Sequence, residues 1–360
     1  MIMSRTGVSA YAYVYTRVRG MIGKLLQPAE FYKMSNCPDL PSLLAVLKNT
    51  DYAKYLENTK ENLPSSRRAS YDIHRKLTDS YRTIIKYAPE SAQPILDQTF
   101  KLYELDNLKA VLRGIEIGEN WETIRYMLFP MQEFQTLTFE EMVKSGSVER
   151  AIEYLHASPY YPAAVLALDR FKEENSLFPL EVALDLDYWR KAWDQVNTLP
   201  KNERQNTQKL IGLIVDKNNL TWAARYGIYH HLSESEIINY TLPFGYKIDD
   251  EIIRSIATGM QLPELVAKAY PSITPLITSK EGIVQKLPLI EVALTRMFLQ
   301  TCRSVFAGKA FDLSFILAYL FILEIELQDI TLLIEAKALG IPPERYNPYL
   351  INQVVNPGKN

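Results

Sequence analysis

The sequence is poor in cysteine and histidine. Of its 360 residues only Cys37 and Cys302 are cysteines, far apart and without a CxxC or Cys/His spacing. Such a pattern supplies neither a disulfide framework nor a metal site, and it fits a reducing cytoplasm. Two of the four histidines, His230 and His231, are adjacent, and neighbouring side chains on a helix point about 100° apart rather than toward one ligand position. We therefore expect no metal ion and no cofactor.

An excess of charge of one sign is also missing. Forty basic and 42 acidic residues give a formal net charge of −2, so no overall field attracts nucleic acid or an anionic membrane. Tyr11, Tyr13 and Tyr15 do alternate near Arg17 and Arg19, a mixture of rings and cations that some nucleic-acid-binding proteins use. Because no RNA-binding signature accompanies them, we interpret these rings as packing between helices and expect no nucleic-acid partner.

No hydrophobic run is long enough to span a bilayer. The longest, residues 313–323, has about half of the roughly 20 residues that a transmembrane helix needs, and Glu324 and Glu326 follow it. Residues 1–14 lack the basic head and continuous apolar run of a signal peptide. The sequence therefore predicts a buried helix at 313–323, no direct membrane insertion and no export.

Catalytic signatures are absent as well. The segment 19–25 contains the Gly-Lys pair of a phosphate-binding loop, but Val18 stands at the required first glycine and Leu25 at the Mg²⁺-ligating hydroxyl. No GxSxG motif or other local nucleophile signature occurs. We name no catalytic residue and predict a non-catalytic protein, with an enzyme of dispersed active site as a competing class.

The sequence is rich in residues that favour helices. Hydrophobic residues make up 47% and charged residues 23%, while only 14 residues are glycine. This is the composition of a folded globular chain, and its many Leu, Ala, Ile, Lys and Glu residues favour helices over short strands. The sequence predicts an all-α fold.

One helical segment occurs three times. Asn107, Asn219 and Asp329 occupy the same position in the three copies, 112 and 110 residues apart, and we call them the three anchors. Apolar residues follow each anchor at spacings i, i+3 and i+4, which form one stripe of an α-helix. The stripes are Leu108, Val111 and Leu112; Leu220, Ala223 and Ala224; and Ile330, Leu333 and Ile334.

The repeat divides the chain into three units, residues 1–134, 135–244 and 245–360. A period near 110 residues is much longer than that of common helical solenoids, so each unit should be a small bundle of helices. The segment 40–52, which ends in Tyr52, also resembles the segment 148–160, which ends in Tyr160. The bundles could close as a pseudo-threefold funnel or stack as an open arc, and the sequence leaves both open.

A further position recurs six residues after each anchor. Arg113 and Arg225 are equivalent there, and the third copy has Glu335. Recurrence in a repeated fold favours a bond within the chain over a contact with a partner.

Several motifs together resemble a known family. They are Tyr-Ala-Tyr at 11–13 with Arg-Val-Arg at 17–19, the Leu-Leu helix ending in Thr-Asp-Tyr at 50–52, the Asp-Asn-Leu-Lys pattern at 106–109, and Leu-Ala-Tyr at 317–319. In this order they resemble the C subunit of V/A-type rotary ATPases, known as the d subunit in the eukaryotic enzyme. The resemblance covers nearly the whole chain. It departs at Thr331, where the family often has arginine, which puts any contact of that arginine in doubt.

The resemblance implies a funnel of three helical bundles on the cytoplasmic face of the membrane proteolipid ring. It implies that the base of the central stalk, made of D- and F-type subunits, enters this funnel, and that the protein couples stalk to ring in ATP-linked ion transport. We therefore expect a central cavity lined by apolar and charged residues. Arg17, Arg19 and Lys24 are our candidates for a partner-contacting rim. A helical scaffold unrelated to rotary ATPases is the alternative.

Overall fold

The computed structural model describes residues 8–57, 65–229, 232–258, 262–273, 283–308 and 311–352, and within these ranges it contains helices and no β-strand. The prediction of an all-α fold is confirmed. The adjacent histidines at 230 and 231 lie outside the described residues. The α-helices are α1 (Val8–Ile22), α2 (Pro28–Ser35), α3 (Leu40–Leu47), α4 (Ala53–Leu56), α5 (Ser66–Tyr87), α6 (Gln93–Glu116), α7 (Trp121–Ile124), α8 (Phe139–Lys144), α9 (Val148–Glu153), α10 (Tyr161–Glu174), α11 (Phe178–Asn197), α12 (Lys201–Tyr229), α13 (Glu234–Asn239), α14 (Asp250–Ala257), α15 (Leu262–Ala269), α16 (Ile283–Val305), α17 (Leu313–Ala338) and α18 (Pro343–Tyr346). Short 3-10 helices lie at Gln132–Phe134, Pro271–Ile273 and Asn347–Tyr349.

Local chemistry fixes where the long helices begin and end. Ser65 caps α5 by accepting a hydrogen bond from the Arg68 N–H, and Asp312 caps α17 through the Ser314 N–H. Side-chain caps of this kind satisfy N–H groups that have no partner within the helix. Shortly after α6, Gly118 has a φ of +74°, a left-handed conformation that glycine adopts without steric cost.

The apolar run at 313–323 forms the first part of α17 and is buried throughout, as the sequence predicts. It is covered by other helices of the same chain, including α1, α3 and α5. Among the described residues, no helix combines the length and the apolar composition that crossing a membrane requires.

Six long helices form three pairs, and the pairs contact one another in a cycle. The pairs are α5 with α6, α11 with α12, and α16 with α17. The second helix of each pair packs on the first helix of the next pair, so that α6 contacts α11 and α12 contacts α16. The third pair then returns to the beginning, because α17 packs along α5. The described helices thus close on themselves, with the first and last long helices as neighbours.

Two of the anchors make the same pair of hydrogen bonds. The side chain of Asn107 accepts from the Phe129 N–H at 2.6 Å and donates to the Phe129 carbonyl at 2.9 Å. Asn219 does the same with Leu242, at 2.8 Å and 2.9 Å. Each amide therefore holds the chain that follows its helix against that helix, and it satisfies a backbone donor and acceptor at once.

The third anchor keeps the position but changes the chemistry. Asp329 accepts from the Ile351 N–H and from the Asn352 N–H, both at 2.7 Å. A carboxylate has no donor, so it binds two successive N–H groups where asparagine binds one N–H and one carbonyl. The loops held by the three anchors lie 22 or 23 residues downstream in every case.

Three residues before each anchor, an acidic side chain joins one helix pair to the following segment. Glu104 accepts a hydrogen bond from the Tyr160 hydroxyl at 3.1 Å, and Asp216 accepts one from the Tyr270 hydroxyl. Both carboxylates also accept backbone N–H groups of the connecting chain. These N–H groups belong to Thr136 and Leu137 for Glu104, and to Tyr246, Lys247 and Ile248 for Asp216.

The third such carboxylate, Glu326, makes the corresponding contacts with the beginning of the chain. It accepts a hydrogen bond from the Tyr52 hydroxyl at 2.7 Å and one from the Leu26 N–H at 2.6 Å. Here a buried lysine is added, since the Lys76 ammonium lies 3.5 Å from Glu326 and 3.8 Å from Asp51. We call this group of residues the closing junction.

The side chains six residues after the anchors make contacts within the chain, as predicted. Arg113 on α6 pairs with Glu181 on α11, and Arg225 on α12 pairs with Glu291 on α16. Glu335 on α17 instead accepts a hydrogen bond from the first residue of α5 at 3.2 Å. The arginines are exposed, so these pairs contribute little stability. The division at residues 134 and 244 stays a prediction, and the recurring contacts support it.

Candidate functional site

A cavity of about 230 Å³ lies where the three helix pairs meet. Its walls come from α6, α12 and α17, the second helix of each pair, with further residues from α11 and α16. We call it the central socket. Its lining mixes apolar and charged side chains, as we expected for this place. The charged side chains are Asp106, Lys109, Asp185, Lys217 and Glu324.

The socket is built in three layers, each with one residue from α6, α12 and α17. Within a layer the three residues stand at the same distance from their anchors, eight, five or one residue before them. The floor is Thr99, Ile211 and Phe321; the middle is Leu102, Ile214 and Glu324; the mouth is Asp106, Asn218 and Gln328.

Exposure rises from the floor to the mouth. The three floor residues are buried, the three middle residues are half-buried, and Asp106 and Gln328 at the mouth are exposed. The socket is therefore closed at the floor and opens toward the C-terminal ends of the three helices. With a rise of about 1.5 Å per residue, seven residues from floor to mouth give a depth of about 10 Å.

One lysine pairs with both carboxylates beside the mouth. The Lys109 ammonium lies 3.0 Å from Asp106 and 2.7 Å from Asp185. Burial opposes the charge on Lys109, but the two carboxylates outweigh burial and raise its pKa. Burial raises the pKa of Asp185 to about 6, although Lys109 opposes that shift. The two carboxylates beside the mouth thus share one ammonium.

In the middle layer the charge is not paired in this way. Burial raises the pKa of Glu324, against the opposing effects of a hydrogen bond from Tyr103 and the charge of Lys217. Burial likewise lowers the pKa of Lys217, against the charges of Glu324 and Glu291. Within the described part of the chain, no lysine, arginine or histidine nitrogen lies within 4.0 Å of the Glu324 carboxylate. Gln328 is a weak donor to it, at 3.5 Å.

The predicted rim arginines lie on the outer side of α1. Arg17 donates to the Tyr13 hydroxyl at 2.9 Å, and Arg19 donates to the Tyr15 hydroxyl at 3.0 Å. Each guanidinium also lies over an aromatic ring of another helix, Tyr87 for Arg17 and Phe315 for Arg19. Both side chains are exposed, so these contacts orient them without removing their charge from solvent.

Lys24, the third predicted rim residue, is also exposed and pairs with Asp51 at 3.1 Å. This pair lies at the edge of the closing junction, since Asp51 also faces Lys76. Neither Lys24 nor the two arginines lines the central socket. Their contact with a partner stays a prediction.

The site residues that sequence reasoning did not name are those of the socket. Glu324 entered that reasoning only as a charge that ends an apolar run. The signal that could have found the socket is the set of positions one, five and eight residues before each anchor, which face the same side of their helices. Among the described residues, no group of three or more His, Cys, Asp or Glu side chains is placed to hold a metal ion.

Comparison with known proteins places this geometry in a family. The sequence profile described as ATP synthase (C/AC39) subunit matches residues 14–349 of the chain. The chain belongs to the ATP synthase (C/AC39) subunit family. The resemblance that the motifs indicate is thereby confirmed.

Relatives of this family are similar over nearly their whole length. The A-type ATP synthase C subunit of Methanocaldococcus jannaschii is 23% identical over 349 residues, which cover 96% of this chain and 87% of that protein. The corresponding C subunit of Methanosarcina barkeri is 22% identical, over 96% of this chain and 94% of that protein. That of Haloferax volcanii is 21% identical, over 97% and 99%. The family match therefore spans all three helix pairs.

Proposed function

We propose that this chain is the non-catalytic subunit of a V/A-type rotary ATP synthase that couples the central stalk to the membrane proteolipid ring in ATP-linked ion transport. The family match and the relatives named as C subunits of A-type ATP synthases support membership in such a complex. In this proposal the chain lies on the cytoplasmic side of the membrane and is held there through the ring.

The observation that carries the proposal is the cyclic contact of three helix pairs around a socket open at one end. An adaptor that transmits torque needs a stiff, close-packed body, because a soft one would deform instead of turning its partner. Beside each of the three contacts in the cycle, a buried carboxylate on the second helix of one pair accepts a hydrogen bond from a tyrosine in the segment that precedes the next pair. A closed cycle also distributes strain over the three contacts between helix pairs, whereas an open arc could bend at its free ends.

The proposal assigns two interfaces to the two ends of this cycle. The stalk, made of D- and F-type subunits, meets the end at which the socket opens, and the proteolipid ring meets the opposite end. An α-helix with its side chains is about 10–12 Å across, so a cavity of about 230 Å³ holds side chains and not a helix. The stalk therefore rests on the mouth and inserts only a small projection.

The exposed basic residues outside the socket have a smaller part in the proposal. Arg17, Arg19 and Lys24 form an exposed basic rim that would meet acidic groups of either partner. Rim charges of this kind act mainly on the association rate and on its salt dependence.

The test is a reconstitution with three purified components: the full chain, the D/F-type stalk heterodimer and the detergent-solubilised proteolipid ring of the same complex. We expect one complex containing all three on size-exclusion chromatography, and none between stalk and ring when the chain is left out. An unrelated helical scaffold would bind neither component, and that result would contradict the proposed function. Binding of one component that excludes the other would contradict the assignment of two separate interfaces.

A further inference from the structure

The middle layer of the socket contains one residue whose chemistry differs from that of its two equivalents. Leu102, Ile214 and Glu324 occupy equivalent positions on α6, α12 and α17. Two of the three are aliphatic, which shows that this place in the fold is satisfied by an apolar side chain. Glu324 brings a carboxylate into a half-buried layer between two aliphatic side chains.

A carboxylate in such a place is costly for the isolated chain. Removing a charge from water without an ion pair and a full set of hydrogen bonds is strongly unfavourable. Glu324 has no cation within 4.0 Å among the described residues, and the charge of Lys217 acts on it from beyond that distance. Its hydrogen bonds come from Tyr103 and, at 3.5 Å, from Gln328. By contrast, the acidic residues three positions before the anchors each accept hydrogen bonds from backbone N–H groups as well as from a tyrosine. These residues are Glu104, Asp216 and Glu326. Glu324 thus lacks the close cation that would compensate its burial, and a partner could supply one.

The shape and charge of the socket indicate what that partner group is. Three acidic residues, Asp106, Asp185 and Glu324, face two basic ones, Lys109 and Lys217, and Lys109 is already paired with the first two acids. The depth of about 10 Å suits one long side chain. A lysine or arginine fits both properties, since its apolar stem would pack on the aliphatic middle layer while its charged head met a carboxylate.

We propose that a lysine or arginine side chain of the central stalk enters the socket and pairs with the Glu324 carboxylate. This inference rests on the proposed function, because it names the chemistry with which the stalk occupies the same socket. It makes Glu324 the residue that fixes how deeply the stalk is seated.

The test compares Glu324→Gln with Glu173→Gln in the full chain. Glu173 is an exposed residue of α10 outside the socket, so the control makes the same chemical change at a position that does not line the socket. The measured quantity is the Kd for the D/F-type stalk heterodimer by isothermal titration calorimetry. Loss of one member of a desolvated charge pair should raise this Kd by about 30-fold or more. The Glu173→Gln variant should bind as the wild type does.

Thermal unfolding of the free chain provides a second readout. Because Glu324→Gln removes a half-buried charge that has no ion pair among the described residues, its Tm should equal or exceed that of the wild type. A structural role for Glu324 would instead lower the Tm, and a lower Tm together with weaker binding would overturn the proposal. Glu324→Leu, which copies the other two positions of the layer, should also be stable and should also bind weakly.

The partner side is tested by replacing each lysine and arginine of the stalk tip with glutamine in turn. One replacement should weaken binding to the wild-type chain and have little further effect on the Glu324→Gln chain, since both changes remove the same contact. If Glu324→Gln binds the stalk as tightly as the wild type, the inference is wrong and the proposed function stands. If the wild-type chain does not bind the stalk at all, the proposed function falls and the inference falls with it.

Discussion

Glu326 on α17 accepts a hydrogen bond from the Tyr52 hydroxyl, and the two residues are 274 positions apart in the chain. Glu104 and Tyr160 make the corresponding contact only 56 positions apart. The same chemistry thus joins successive helix pairs and also joins the end of the chain to its beginning. At the closing junction, the two segments in contact are far apart in sequence, so no short loop links them.

The first prediction concerns this junction. Tyr52→Phe removes one hydrogen bond to the Glu326 carboxylate and leaves that acceptor buried, so we expect the free energy of unfolding to fall by about 1–3 kcal/mol. Chemical denaturation followed by circular dichroism measures the loss. Tyr154→Phe is the matched control, because Tyr154 is 48% exposed. Equal stability of Tyr52→Phe and the control would show that the junction does not hold the cycle closed.

The second prediction concerns the anchors. Asn219→Ala leaves the buried N–H and carbonyl groups of Leu242 without their partners. Each unsatisfied group costs about 1–3 kcal/mol, so for the two groups we expect a total loss of about 2–6 kcal/mol of unfolding free energy. Asn49→Ala, at an exposed position, should cost much less. Comparable losses for the two variants would contradict the role given to the anchor.

The anchors also show how much of the fold can be predicted from the sequence. Asn107, Asn219 and Asp329 could be aligned in advance because the apolar stripes after them have helical spacing, and such spacing is a local property. The equivalence of Tyr52 and Tyr160 was visible for the same reason. Their acidic partners lie in other parts of the chain, and the sequence alone does not tell which carboxylate a tyrosine will meet.

The sequence could predict that a central cavity exists, but not how large it is. A cavity with a mixed lining follows from the resemblance to the family, but its small size depends on how large side chains such as Phe321 and Trp189 fill the space between helices. That packing involves residues more than 100 positions apart. The importance of Glu324 becomes visible only when Leu102 and Ile214 are found in the same layer.

The third prediction tests the basic rim. Among the described residues, Arg17 and Arg19 contact tyrosine hydroxyls and ring faces but no carboxylate, so the double reversal to glutamate should leave the fold intact. Lys24 is reversed in a separate variant, because a glutamate there would face Asp51 in the closing junction. We expect weaker binding to the stalk or the ring, with the largest loss at low ionic strength, where rim charges are least screened.

Surface plasmon resonance at two salt concentrations measures this effect, and unchanged thermal unfolding confirms that the variants are folded. Affinity equal to that of the wild type at low salt would remove the three residues from both interfaces. A loss confined to the Lys24 variant, accompanied by a lower Tm, would indicate damage to the junction and not a partner contact.

The fourth prediction concerns Asp329, the one anchor that can lose a proton. Burial, the largest effect, raises its pKa from 3.8 to about 6, against the hydrogen bonds from Asn352 and Ile351. The folded chain therefore holds this proton up to about pH 6, while the unfolded chain releases it near pH 4. A raised carboxyl pKa means that the stabilising contribution is fully present below the unfolded pKa and is lost as the pH rises through the folded one.

The Asp329→Asn variant isolates this contribution, because its side chain does not titrate and every other group is common to both chains. The unfolding free energy of the wild type minus that of the variant should decrease by up to about 3 kcal/mol between about pH 4 and pH 6 and then stay constant. Asp39→Asn is a control of opposite sign. Hydrogen bonds from Ser42 lower the pKa of Asp39, so the corresponding difference should increase with pH below about pH 4 and stay nearly constant above it. A difference for Asp329 that is flat or rises over this range would mean that its N–H bonds outweigh burial, and that the carboxylate stabilises the third anchor at neutral pH.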